Sequence, residues 1–131
     1  MFLDASSLVS MVSGEHDADL LGSKLDQATV RMTSPLAIWE TAVNVSRILQ
    51  IDDDSAVKYV DRFIEQFGIE VIAVLPEMTA IALDAFRRYG KGRHPAALNF
   101  GDCFAYACAR HHKVPLLYKG NDFALTDIES A

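Results

Sequence analysis

Apolar residues follow two alternating patterns along the chain: short runs, and longer stretches with helical periodicity. Four short runs have the apolar or β-branched character of strands: MFLD, TVRMTS, IEVIAVL and VPLLYK. Six other segments repeat apolar residues at the spacing of a helix: SSLVSMV, HDADLLGSKLDQA, SPLAIWETAVNVSRILQ, DDSAVKYVDRFIEQFG, PEMTAIALDAFRRYG and NFGDCFAYACARHHK. Because strands alternate with helices and read as buried on both faces, the sequence predicts an α/β fold with a mainly parallel central sheet.

Several helix boundaries are marked by residues with known capping preferences. Ser34 is a favoured N-cap and Pro35 suits the first helical position, so a helix is expected from there to Leu49. Gly68 is a suitable C-terminal stop for the next helix. A further helix is expected over residues 76–90, and a turn follows the last strand.

Length and composition limit the class of protein. The chain has 131 residues, half of them hydrophobic, which predicts one domain spanning residues 1–131 with a sizeable core. No apolar run approaches the roughly 20 residues that span a bilayer, and the first residues lack the pattern of a signal peptide. We therefore expect a cytoplasmic protein with no membrane partner. Cys103 and Cys108 are expected to be buried and reduced rather than joined in a disulfide.

The net charge of −6 argues against a nucleic acid partner, because phosphate binding normally depends on Lys and Arg. The basic residues are nevertheless clustered, and seven of the twelve fall between Arg87 and Lys119. The segment RRYGKGRH could follow a phosphate backbone and offer an aromatic stacking face. The alternative is a solvated helix end whose cations complement the helix dipole.

Four acids stand apart from the solvated majority. Asp4 ends the first predicted strand, Asp122 follows the last one, and Glu40 and Asp102 lie in apolar helical segments. Each has an ordinary explanation. Asp4 could be an N-cap, Asp102 could complement a helix dipole, Glu40 could pair with Arg47, and Asp122 could be a turn residue.

One ligand would explain all four acids together. Ligands of open parallel sheets bind beyond the carboxyl ends of the strands. A hard divalent cation is held there by carboxylate oxygens and waters. Carboxylates without a nearby His or Cys favour Mg²⁺ or Mn²⁺ over zinc.

The chain contains, in this order, the segments FLDASSLV, SPLAIWETAVNV, NFGDCFAYACAR and PLLYKGNDFALTDI. Together they resemble the motifs of PIN-domain ribonucleases of the VapC type, the toxin half of bacterial toxin–antitoxin pairs. The resemblance covers essentially the whole chain and implies a three-layer α/β/α PIN domain. It matches Asp4, Glu40 and Asp102 to the family's acidic triad, and Ser6 to its small hydroxyl residue near the first acid.

The last motif departs from the family pattern, because many relatives carry two acids there. Here Asn121 precedes Asp122, so Asp122 is the candidate fourth acid. The resemblance implies that Asp4 and Asp102 hold a Mg²⁺ or Mn²⁺ ion, which activates water for attack on phosphorus. Glu40 would bind the ion through water or act as general base. Asp122 would position a water or help hold a second ion, and Ser6 would donate a hydrogen bond to a carboxylate or phosphate.

The resemblance also implies partners. These are an RNA substrate such as a transfer RNA, a cognate antitoxin that inserts a basic residue among the acids, and a second copy bound through apolar helix faces in the first half of the chain. The candidate RNA-binding residues are Arg87, Arg88, Lys91 and Arg93. Two alternatives are a catalytically degenerate PIN-fold binding module and a receiver-type phosphoacceptor domain. A receiver usually needs an acid pair after the first strand, where Asp4 stands alone.

Overall fold

The computed structural model describes all 131 residues, and its centre is a four-stranded sheet. The strands are all parallel and lie in the order β3–β2–β1–β4. Their bounds are Phe2–Leu3 for β1, Met32–Thr33 for β2, Glu70–Val71 for β3 and Leu116–Leu117 for β4. All four predicted strands are therefore present, although each is shorter than its apolar run.

Six α-helices connect the strands, as the periodicity predicts. They are α1 (Ala5–Ser13), α2 (Ala18–Gln27), α3 (Pro35–Leu49), α4 (Asp53–Gln66), α5 (Met78–Tyr89) and α6 (Phe100–His112), and a short 3-10 helix follows at Phe123–Leu125. The Ser34 side chain accepts a hydrogen bond from the Ala37 N–H, which fixes the start of α3. The helix expected to begin at Pro76 begins two residues later, at Met78.

Alternate strand residues face opposite helical layers. Phe2 and Leu116 belong to a buried cluster with residues of α5 and α6. Their neighbours Leu3 and Leu117 belong to a second cluster with residues of α1, α2, α3 and α4. Because side chains alternate along a strand, this division places two helices on one face and four on the other. The three-layer α/β/α architecture is thus confirmed.

The edge strand β3 corrects one expectation. Glu70 and Val71 are both exposed, whereas the sequence pattern indicated strands buried on both faces. The strand lies at the end of the sheet and pairs with β2 alone, so it receives less cover from the helical layers. The central strand β1, between β2 and β4, is fully buried.

Two smaller expectations concern the cysteines and the membrane. Cys103 and Cys108 are both free and buried in α6, as expected. Burial raises the pKa of each thiol to about 11, so both are protonated at neutral pH. None of the helices combines the length and the apolar character that crossing a bilayer requires.

Candidate active site

The four candidate acids, supplied by distant parts of the chain, line one cleft. Asp4 directly follows β1, Glu40 lies in α3, Asp102 lies in the first turn of α6, and Asp122 precedes the 3-10 helix. The cleft has a volume of about 390 Å³. The structure therefore brings together all the acids that the sequence singles out, and Ser6 lines the same cleft.

Asp4 is held at the head of α1 by Ser6. Its Oδ2 accepts a hydrogen bond from the Ser6 N–H at 2.9 Å and another from the Ser6 hydroxyl at 2.5 Å. Asp4 is therefore the N-cap that the sequence offered as its ordinary explanation, but the carboxylate also lines the cleft. Only 4% of the residue is exposed. Burial raises the pKa of Asp4, although the bonds from Ser6 act in the opposite direction.

Ser6 is itself oriented from the far end of the sequence. Its Oγ accepts a hydrogen bond from the Lys119 N–H at 3.0 Å, while its proton goes to Asp4. Lys119 follows β4, the neighbour of β1 in the sheet. The parallel pairing of these two strands thus fixes the rotamer of Ser6, and through it the direction of the Asp4 carboxylate.

Asp102 is fixed by a reciprocal pair of hydrogen bonds with Asn99. The Asn99 side chain accepts from the Asp102 N–H at 3.0 Å, and Asp102 Oδ2 accepts from the Asn99 N–H at 2.8 Å. This is a capping box at the start of α6, and it leaves Oδ1 of Asp102 without a protein partner. Burial raises the pKa of Asp102 to about 6, and the charges of Asp4 and Asp122 add to that rise.

The Glu40 carboxylate has no hydrogen bond or ion pair within the protein. The pairing with Arg47 that the sequence suggested is absent, because the Arg47 guanidinium donates to the Asn44 side chain at 3.0 Å. Partial burial raises the pKa of Glu40, and the nearby charges of Asp4 and Asp102 raise it further. The Glu40 carboxylate therefore lies near the carboxylates of Asp4 and Asp102 and has no positively charged partner.

Five acidic and two basic side chains line the cleft, so its charge is negative overall. The acids are Asp4, Glu15, Glu40, Asp102 and Asp122, and the bases are Arg47 and Lys119. The Lys119 ammonium forms ion pairs with Glu15 and Asp17. One of the two positive charges of the cleft is thus partly neutralised by Glu15 and Asp17.

The sequence interpretation did not place five polar residues in the cleft: Glu15, Asn44, Arg47, Asn99 and Lys119. Asn99 carries a local signal that could have been found, because Asn followed three residues later by Asp fits the capping-box pattern at a helix start. Lys119 and Glu15 carry no such signal. Lys119 reaches the cleft through the pairing of β4 with β1, more than a hundred residues apart in sequence. Glu15 forms an ion pair with Lys119 there.

Comparison with known proteins assigns the chain to a family. The family model described as "PIN domain" matches residues 1–129. The chain belongs to the PIN-domain family. This membership confirms the resemblance read from the sequence motifs. It also rules out the hypothesis of a receiver-type phosphoacceptor domain. The positions of Glu40 and Asp102 agree, because both lie within helices rather than at strand ends.

Individual relatives place this PIN-domain protein among the VapC ribonucleases. Ribonuclease VapC of Mycolicibacterium smegmatis is 38% identical over 128 residues, covering 98% of this chain and 97% of that protein. Ribonuclease VapC42 of Mycobacterium tuberculosis is 39% identical over 134 residues, covering 100% and 98% respectively. VapC30 of the same species is 36% identical over 128 residues, covering 98% and 95%.

A solved structure supports the fold of this PIN-domain protein independently. The crystal structure of Mycobacterium tuberculosis VapC20, described as a toxin that cleaves the sarcin–ricin loop, matches with a TM-score of 0.76. The match covers 99% of this chain and 97% of that one at 17% sequence identity. At that identity the likeness establishes a shared fold.

The candidate RNA-binding residues of the PIN domain lie outside the acidic cleft. Arg87 and Arg88 are in the last turn of α5, and neither they nor Lys91 and Arg93 line the cleft. Arg88 donates to Asp127 at 2.9 Å, so it also has a structural role. Arg87 and Arg88 therefore do lie at a helix end, where their charges complement the helix dipole. RNA contact by the four basic residues stays a prediction.

The side chains of the cleft suit a hydrated divalent cation better than a fully protein-coordinated one. No three His, Cys, Asp or Glu side chains stand close enough together to hold a metal ion directly. Mg²⁺ does not require such a cage, because it keeps several waters and is bound through one or two carboxylates. The donors available are carboxylate oxygens, which are the ligands of Mg²⁺ and Mn²⁺.

The crowding of acids predicts an unusual pH dependence for the metal-free protein. A carboxyl whose pKa is raised on folding, as for Asp102 from 3.8 to about 6, binds its proton more tightly in the folded state. Its contribution to stability is full below the unfolded pKa and is lost as the pH rises through the folded pKa. The pKa values of Asp4 and Glu40 shift in the same direction. We expect the melting temperature in EDTA to fall by a few degrees as the pH rises from about 4.5 to about 7.

Two controls identify the source of that pH dependence. The Asp102→Asn variant should show a shallower fall over the same pH window, and saturating Mg²⁺ should flatten the curve of the wild type. Equal slopes for the wild type and the Asp102→Asn variant would show that the cleft acids are not responsible.

Proposed function

We propose that this VapC-type ribonuclease cleaves RNA by hydrolysis that depends on Mg²⁺ or Mn²⁺ held among the acids of the cleft. The observation that carries the proposal is the convergence of Asp4, Glu40, Asp102 and Asp122 in one cleft whose charge is not balanced by its two basic residues. Such a cleft would repel an RNA phosphate unless a cation were present. When bound, a divalent cation lowers the pKa of a water molecule and screens the phosphate from the carboxylates.

The side chains have distinct roles in this proposal. Asp4, oriented by Ser6, and Asp102, whose Oδ1 has no protein partner, would hold the cation. Glu40 accepts the proton of the attacking water, since its raised pKa and lack of hydrogen bonds suit a general base. Asp122 positions a water or helps to hold a second ion.

Purified protein without antitoxin should cleave total cellular RNA in Mg²⁺ or Mn²⁺. The activity should disappear in EDTA and return when the metal is added back. The RNA pool should contain both ribosomal and transfer RNA, because a structured RNA such as a transfer RNA is the proposed substrate. Cleavage at the same rate in EDTA would contradict the metal-dependent mechanism.

We propose that a cognate antitoxin inhibits the enzyme by placing an Arg or Lys side chain among the acids of the cleft. A guanidinium pairs with carboxylates through strong, charge-assisted hydrogen bonds, and it would take the place of the metal. Replacing that basic residue in the antitoxin by Ala should restore cleavage by the complex. A complex that is inhibited with its cleft open would contradict this mode of inhibition.

A homodimer is proposed through the apolar face of α3 and α4. Trp39 is 69% exposed rather than part of the core, and it lines an apolar groove with Val43 of α3 and Val57 of α4. Sedimentation of the wild type and a Trp39→Ala variant at micromolar concentration tests this contact. A wild type that sediments as a monomer would contradict it.

A further inference from the structure

Gly101 faces the Glu40 carboxylate across the gap between α6 and α3. A methyl group built on Gly101 would overlap Glu40 Oε2, so the carboxylate, which ends a flexible side chain, would have to move. The next nearest atom, Asn99 Oδ1, would lie 3.4 Å away, which is an ordinary contact. The Glu40 carboxylate therefore occupies the space that a side chain at residue 101 would need.

The backbone does not require glycine at this position. Gly101 lies in the first turn of α6 and does not have the positive φ of the four glycines found in left-handed conformations. Glycine inside a helix is less favourable than alanine, because it loses more conformational freedom on folding. A local preference for helix would therefore favour alanine, and the reason for glycine lies in what packs against it.

Glu40 depends on this packing for its position. Its carboxylate has no hydrogen bond or ion pair with the protein, whereas Asp4 and Asp102 are each held by named hydrogen bonds. The same small recess is lined by Glu40, Asn99 and Gly101. The positive end of the α6 dipole also favours a carboxylate beside its first turn.

We propose that Gly101 is a positioning residue whose missing side chain seats the Glu40 carboxylate against the first turn of α6, beside Asp102. This inference rests on the proposed function, in which Glu40 is the general base. It assigns to Gly101 a role in the geometry of the reaction rather than in the fold.

The test is the substitution Gly101→Ala, compared with Gly22→Ala. Gly22 lies inside α2, and a methyl group there would meet no atom within 4 Å. Both substitutions make the same change in helix propensity, but only the first one displaces a carboxylate. We expect Gly101→Ala to slow RNA cleavage by about 100-fold, the loss that a displacement of about 1 Å in a reacting group can cause. Gly22→Ala should cleave at the wild-type rate.

A second readout does not depend on activity. The pKa of Glu40, measured by NMR on carboxyl-labelled protein without metal, reports its burial and its distance from Asp4 and Asp102. Gly101→Ala should change this pKa, and Gly22→Ala should leave it unchanged. A Glu40 pKa that is the same in all three proteins would overturn the inference, whether or not the wild type cleaves RNA.

The double variant Gly101→Ala/Glu40→Ala separates a local displacement from misfolding. If the methyl group clashes only with the Glu40 carboxylate, removing that carboxylate should reverse any decrease in melting temperature that Gly101→Ala causes. A double variant that melts as low as a destabilised single variant would show that the methyl group clashes elsewhere, and would refute the inference. Failure of the wild type to cleave RNA would instead refute the proposed function.

Discussion

Replacing Asp102 by Asn is expected to reduce RNA cleavage by roughly 10²–10⁴-fold, the range that a positioned catalytic group contributes, while the metal-free protein remains folded. Asn has nearly the same volume and keeps an oxygen that can accept the hydrogen bond from the Asn99 N–H. The charge that holds the cation is lost. Because the pKa of Asp102 is raised to about 6 by burial and by neighbouring acids, removing its charge should leave the melting temperature in EDTA unchanged or higher.

The matched control is Asp54→Asn. Asp54 lies in the first turn of α4, as Asp102 lies in the first turn of α6, but it is exposed and outside the cleft. Its neutralisation should leave cleavage and the Mg²⁺-induced rise in melting temperature at wild-type values. If Asp102 served only as a helix cap, its replacement by Asn would leave both cleavage and the Mg²⁺-induced rise in melting temperature at wild-type values, because Asn keeps an oxygen for the Asn99 N–H. That result would show that the active-site assignment is wrong.

The largest expected effect on stability comes from truncating the core beneath the site. Leu8 is fully buried in α1, the helix that Asp4 caps, and packs in the cluster formed by α1, α2, α3 and α4. Leu8→Ala removes buried apolar surface and leaves a cavity, which together destabilise a protein by about 2–5 kcal/mol. The total free energy of unfolding of a domain of this size is about 5–15 kcal/mol. The melting temperature of the variant should therefore be roughly 10 °C below that of the wild type.

Leu83→Ala is the control for this loss. Leu83 also lies in a helix, α5, but it is 50% exposed, so the same change in side chain and helix propensity removes little buried surface. Its unfolding free energy should stay within about 0.5 kcal/mol of the wild type. Equal losses for both variants would mean that burial of Leu8 in its cluster does not account for the loss of stability.

The sequence predicts well what is decided locally. Helix α3 runs from Pro35 to Leu49, the bounds that Ser34, Pro35 and the apolar period indicate, because a cap and a periodic face act within a few residues. The sequence also indicates four of the five acids of the cleft, all but Glu15, since a charge beside or within an apolar segment requires a compensating partner wherever it occurs.

Features that depend on the assembled fold were not predicted. The pairing of Glu40 with Arg47 was plausible from spacing, yet Arg47 bonds to Asn44, which is one helical turn nearer. The exposure of β3 follows from its place at the sheet edge. The residues of a strand do not by themselves determine its position in the sheet. The approach of the Glu40 carboxylate to Gly101 joins two helices, α3 and α6, that are far apart in sequence. No local pattern can report such a contact.

The bond from the Lys119 amide to Ser6 joins residues separated by 113 positions, and this separation affects when the enzyme becomes active. A chain is synthesised from its N-terminus at about 5–20 residues per second, so Asp4 and Ser6 emerge several seconds before β4 exists. A nascent chain has neither Asp122 nor the amide that orients Ser6. The cleft is therefore completed only after residues 119–122 have been synthesised, however early the first strand and helix emerge.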